Sequence, residues 1–192
     1  MVDVLEQDAR LDRDAIIAWG HSRYAKAALV AAAFDPRIAG VIAHQSGTGG
    51  ASLNYKKPGE SVARITRSYP HWFARRYAAY TDQTRPDVDQ HQLLALIAPR
   101  PVMLGNARRD VWSDPNGAFR AAMGADAVYR LYGVKGLDQT RLTPYDPAAG
   151  IAFWIRPGTH GVVKEDWPAF LAFLDAHFGA KDGDGGGRLV SP

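Results

Sequence analysis

Apolar positions along this chain fall into two patterns, short unbroken runs and longer stretches with helical spacing. Val2, Leu5 and Ala9 are spaced as one helix face across residues 2–10. The run Ala15-Ile16-Ile17-Ala18-Trp19 then stops at Gly20, which predicts a short buried strand. Residues 23–34 are Ala-rich and free of Gly and Pro, so they predict a helix that ends before Asp35-Pro36. A second apolar run at 38–43 repeats the strand pattern. Strand, helix and strand in that order make the βαβ unit of a parallel sheet.

The alternation continues to the far end of the chain. Residues 46–58 form a long loop containing Gly47, Gly49 and Gly50, a length more common in functional loops than in connectors. Helical segments are expected around 60–67, 72–80 and 89–97. Pro99-Arg100-Pro101 punctuates the chain before a third strand at 102–105. Ser113-Asp114-Pro115 has the cap and first-turn proline of a helix running towards Met123. A fourth strand is expected at 151–155, then an amphipathic helix whose apolar face is Phe170, Leu171, Phe173, Leu174 and Phe178. Residues 1–179 thus read as part of one α/β domain with a mostly parallel sheet and flanking helices. Residues 180–192, with three consecutive glycines, read as a flexible tail.

Composition narrows the chemistry. The chain has 192 residues, 46% of them hydrophobic, enough for a folded core. No unbroken apolar run reaches membrane-spanning length, and the first residues lack a basic region followed by an apolar one, so neither a membrane span nor a signal peptide is predicted. Cysteine is absent, which removes thiol nucleophiles, thiolate metal sites and disulfides together. The net charge of +3 comes from scattered Lys and Arg, which argues against nucleic acid as a partner and at most helps attract a small anion.

Chemistry must then come from Ser, His and the charged side chains. Ser22 falls between the first predicted strand and its helix, where a tight turn lifts a hydroxyl above the sheet at the positive end of the helix. The first glycine of a G-x-S-x-G elbow is present as Gly20 and the second is not. Taken alone, the motif favours reading Ser22 as a helix N-cap. Chain order adds weight to the nucleophile reading, because α/β-hydrolase triads run nucleophile, acid, histidine on loops after successive strands. Asp110 follows the strand at 102–105, and His160 lies in the turn Pro157-Gly158-Thr159-His160-Gly161 after the strand at 151–155. Asp114 competes with Asp110 for the acid role, but its place before Pro115 suits a helix cap. His21, His44, His71, His91 and His177 are read as non-catalytic, His177 as a positive group in the last turn of a helix.

These residues resemble the glucuronoyl esterases, carbohydrate esterases of the α/β-hydrolase superfamily with a G-x-S-R-x-G-K nucleophile motif. Gly20-His21-Ser22-Arg23-Tyr24-Ala25-Lys26 matches it except that Ala25 replaces the second glycine. The likeness runs on through Gln45–Ala51, Gly59–Ile65, Tyr69–Phe73, Asp110–Pro115 and Gly158–His160. It implies hydrolysis of the ester between glucuronic acid side groups of glucuronoxylan and lignin alcohols, through an acyl-enzyme on Ser22, with no metal or cofactor. By position, Arg23 would stabilise the oxyanion, Lys26 and Glu60 would hydrogen-bond sugar hydroxyls, and Trp112 would pack beside the uronate. Their plain alternatives are solvated helix charges for Arg23 and Lys26, a helix N-terminal acid for Glu60 and a core residue for Trp112. A secreted or periplasmic location is implied by the resemblance alone.

Two departures stand out. Many members carry the acid as Glu directly after the strand that follows the nucleophile helix, where this chain has Gln45. An amide cannot stabilise an imidazolium, so the acid is assigned to Asp110, as in members that place it after the later strand. Members also have a long stretch before the nucleophile, whereas twenty-one residues precede Ser22 here. The expectation is a C-terminal catalytic part lacking the first strands, with an exposed edge on the strand at 15–19. Another carboxylesterase, such as an acetyl esterase on plant polysaccharide, and an inactive truncated homologue remain the alternatives.

Overall fold

Four parallel strands, β1 (Ile17–His21), β2 (Gly40–His44), β3 (Val102–Ala107) and β4 (Ile151–Arg156), lie side by side in chain order in the computed structural model, which describes residues 1–55, 58–81 and 86–179. The segment expected to be a flexible tail, 180–192, lies outside the described residues. Every position of β2 and β3 is buried, as strands covered on both faces require. β1 corrects the expectation of a buried strand at 15–19. It starts at Ile17, because Asp12 caps a short 3-10 turn over Arg13–Ala15, and it continues through Gly20 and His21, whose partners in β2 are Ala43 and His44. Only Gly20 of its five residues is buried, and the Trp19 side chain is half exposed.

Side chains alternate across the sheet with period two and feed two cores. Val41, Val102, Leu104, Ile151 and Phe153 face the larger core, together with α2 (Arg23–Phe34), α4 (Gln90–Ala95) and α5 (Pro115–Leu131). Ile42, Met103 and Ala152 face α6 (Trp167–Phe178), which buries Phe170 and Phe173 against them. Full burial of an aromatic of this size contributes about 2 to 3 kcal/mol. α2 buries Ala25, Ala28, Leu29 and Ala32, small enough on one side to lie close to β1 and β2. Ala25 is fully buried there, so a methyl group fits where the family motif has glycine.

Four expected helices come out shorter, among them the one at 89–97, which is α4, Gln90–Ala95. α1 is one turn, Val2–Leu5, and α3 spans Val62–Ser68 with Ser61 as its cap, so Glu60 lies outside that helix. The stretch 72–80 contains only a 3-10 turn, Arg75–Ala79. Its aromatics are engaged elsewhere: Trp72 stacks face to face on Tyr69 at 3.9 Å, and Phe73 packs on Tyr77 at 4.8 Å. α5 in contrast runs a further two turns beyond Met123. The carboxyl ends of all four strands meet at one edge of the sheet, where open α/β sheets bind ligands.

Candidate active site

Ser22 sits between β1 and α2 with φ 57° and ψ −120°, a backbone conformation L-residues rarely adopt. The turn is sharp enough that a Cβ on Gly20 would lie 2.4 Å from the Tyr24 carbonyl, so the position tolerates only glycine. Ser22 occupies the N-cap position of α2 but its side chain makes no cap bond there, and its N–H donates to the His44 carbonyl at 2.8 Å. Its hydroxyl is thereby presented to a cavity of about 400 Å³. Arg23, Lys26, Glu60, Trp112 and His160 line the same cavity.

His160 Nδ1 lies 2.7 Å from Asp110 Oδ2. Asp110 is 4% exposed, whereas the His160 side chain is 41% exposed. Burial alone would raise the Asp110 pKa, but hydrogen bonds from His160 and Ser113 outweigh it and hold the carboxyl below its ordinary value. With Nδ1 committed to a carboxylate, Nε2 is the nitrogen left for proton transfer. Asp114, the competing acid, is turned away: its side chain accepts from Gly117 N–H at 2.9 Å as the N-cap of α5.

The remaining candidates are held by local contacts. The Arg23 guanidinium lies 5.2 Å from the Tyr24 ring and 5.8 Å from the Trp72 ring. Lys26 Nζ donates to the Ser46 carbonyl. Glu60 is almost fully buried, its N–H bonded to the Trp112 carbonyl at 3.1 Å and its own carbonyl to the Thr48 hydroxyl at 2.5 Å. Trp112 is half exposed beneath the Arg64 guanidinium at 4.7 Å, not a core residue.

Gln45 is buried with φ 51°. Its Oε1 accepts from Gly161 N–H at 2.8 Å and its Nε2 donates to Thr159 carbonyl at 3.5 Å, so the amide grips both sides of His160 without taking the acid's place. Two histidines read as non-catalytic belong to the site's immediate surroundings. His21 lines the cavity, its ring 4.7 Å from that of His160, and His44 lies behind it, their Nδ1 atoms 3.0 Å apart. One signal was available, since both are polar residues at the ends of apolar strands. His177 is a correction of another kind: it closes α6 but is half buried, which lowers its pKa, and its Nε2 meets the Ala149 carbonyl at 3.2 Å. It is held by that contact, not by its charge on the helix dipole.

Among the described residues no group of three or more His, Asp or Glu could hold a metal ion, and no helix is long and apolar enough to cross a membrane.

The family described as glucuronyl esterase, fungi, matches residues 1–133. A carbohydrate esterase from an unknown prokaryotic organism is 43% identical over 92% of this chain and 41% of its own length. A 4-O-methyl-glucuronoyl methylesterase of Wolfiporia cocos is 31% identical over 70% of this chain and 35% of its own. A solved structure of a promiscuous CE15 esterase from the marine bacterial metagenome is 43% identical and superposes with a TM-score of 0.87, covering 92% of this chain and 45% of that one. The chain therefore spans less than half the length of these relatives.

Proposed function

This chain belongs to the glucuronoyl esterase family, with its α/β-hydrolase fold, and from that premise we propose that it carries the nucleophile, base and acid of a serine esterase acting on glucuronate esters. The observation that carries the proposal is the 2.7 Å contact of Asp110 with His160, whose ring shares a cavity with Ser22 on its strained elbow. The substrate is the ester between glucuronic acid side groups of glucuronoxylan and lignin alcohols. In acylation, Ser22 Oγ attacks the uronate carbonyl as His160 Nε2 takes its proton, and Asp110 stabilises the imidazolium. Arg23 faces the charge that develops on the carbonyl oxygen, and one such donor is worth about 3 to 4 kcal/mol of barrier. The alcohol leaves with the proton from His160, and water attacks the acyl-enzyme by the same base. Lys26 and Glu60 meet sugar hydroxyls while Trp112 packs beside the ring.

Residues 1–179 act in this reading as a catalytic part of one α/β-hydrolase domain, and a cell-wall substrate puts the enzyme outside the cytoplasm. The name of the promiscuous relative favours a second reading, a broader carboxylesterase that also cleaves acetylated polysaccharide. The test is hydrolysis of benzyl glucuronate against a simple acetyl ester, by the chain alone and joined to the remaining sequence of a full-length relative. Cleavage of the glucuronate ester that is lost in Ser22→Ala supports the proposal. Preference for the acetyl ester selects the second reading, activity that survives Ser22→Ala overturns the mechanism, and no cleavage in either form makes the chain an inactive homologue.

A further inference from the structure

A chain of buried polar groups runs behind His160. His21, immediately before the nucleophile, packs its ring 4.7 Å from His160 and 5.1 Å from His44. The Nδ1 atoms of His21 and His44 are 3.0 Å apart, so one ring must donate and the other accept. His44 is fully buried, with the Phe170 ring edge-on at 5.3 Å. Its Nε2 has no hydrogen-bond partner among the described residues and faces Asp166 Oδ1 at 3.4 Å. A lone pair turned to a carboxylate at that distance is repelled, so the proton belongs on Nε2 and Nδ1 of His44 is the acceptor. His21 is then the donor.

Asp166, also fully buried, is itself fixed. Its Oδ1 accepts from Arg156 Nε at 2.9 Å and its Oδ2 from Val163 N–H at 3.0 Å. Arg156 donates onward to the carbonyls of Pro157, Thr159 and Gly161, the turn that carries His160. The chain of contacts therefore closes on the catalytic loop from both sides.

We propose that His21 is a positioning residue for His160, held as its Nδ1–H tautomer by the buried His44–Asp166–Arg156 chain so that the catalytic imidazole packs against a neutral ring. This rests on the esterase reading above. The charged groups facing the pair are Asp166 and Arg156 behind it and Asp110 and His160 in front. Burial, the first cause in both, pushes the His21 pKa down and that of His44 to about 4, so both rings are neutral at neutral pH. A proton on His21 would set a positive charge beside the His160 imidazolium and oppose its formation. The acid limb of kcat/KM then carries two protons instead of one.

Long-range proton–nitrogen NMR of the histidines in the full chain reads the tautomers without turnover. The expected result is Nδ1–H on His21 and Nε2–H on His44, with His44 uncharged until well below the ordinary histidine range. Finding Nδ1–H on His44, or ordinary titration of it, overturns the proposal even if His44→Phe fails to fold. In kinetics, His44→Phe should lower kcat about tenfold with KM within about twofold, a loss of orientation and not of binding. His44→Asn, which restores an acceptor for His21, should recover most of it. His21→Phe should reduce the acid limb to one proton, and an unchanged limb overturns the proposal. Absence of any esterase activity would fail the esterase reading instead, and the tautomers would still be decided by NMR.

Discussion

Two acid–histidine pairs lie within one region of this molecule and are used in opposite ways. Asp110 meets His160 at 2.7 Å with no Lys or Arg paired to it among the described residues, and the imidazole opens to the cavity. Asp166 meets Arg156 at 2.9 Å, and His44 stands off at 3.4 Å, sealed in the core. The same two residue types thus yield a part-exposed imidazole open to the cavity and a buried one kept from gaining a proton. Environment separates them: a carboxylate stabilises imidazolium only when its charge is not already neutralised and the ring is not desolvated.

The largest way to break this contrast is Asp110→Asn. It keeps the shape but loses the charge and the tautomer control, so kcat should fall by about 10⁴-fold with the fold intact, measured by turnover and circular dichroism. Unchanged turnover would remove Asp110 from the triad. The matching change in the second pair, Asp166→Asn, should act on stability first. It leaves the Arg156 guanidinium buried without its counter-charge, a loss of about 3 to 5 kcal/mol read by urea unfolding. A stability equal to the parent would show that the three carbonyls around Arg156 suffice.

Acidification sharpens the comparison. His44 has its folded pKa depressed from 6.5 to about 4, so the unfolded chain binds the extra proton first. Its contribution is fully present above pH 6.5 and falls away between there and about pH 4, on the order of 3 kcal/mol in total. Asp110 loses its contribution only at lower pH, as the acid titrates through a folded value held below the ordinary one. Urea midpoints against pH should therefore fall through the first window in the parent and fall less steeply there in His44→Leu, since His21 and His177, also lowered, keep part of the slope. The smallest effect is expected from Ser113→Ala. The hydroxyl is 3.4 Å from His160 Nδ1, a weak contact, and although the substitution removes its bond to Asp110, it keeps the His160 bond and the Ser113 backbone N–H at 3.3 Å that hold the carboxylate. A change in kcat under about threefold is expected, and a loss near that of Asp110→Asn would make the hydroxyl part of the triad.

Much of the fold was written in local patterns. The all-apolar runs of β2, β3 and β4 and the Ala-rich stretch of α2 were legible because strands buried on both faces need no polar residue, and a helix against a sheet favours small ones. Boundaries were less so: β1 was displaced by two residues, since the Asp12 cap and the pairing of His21 with His44 are contacts a periodicity does not contain. The aromatic stretch at 72–80 has helical spacing but is drawn into ring contacts with Tyr69 and the Gly49 loop instead.

By itself the sequence determined the strand–helix–strand alternation and the strained serine turn that Gly20 permits, and it named Asp110 and Asp114 as the candidate acids on the loop after the third strand. These depend on neighbours along the chain. Tertiary structure alone decided that Gln45 grips the His160 loop across a separation of 116 positions along the chain, and that His21 and His44 belong with the site. It also decided that His44 is held neutral. Desolvation and the pairing of Asp166 with Arg156 arise only when distant segments pack together, and those terms set a pKa where residue identity does not.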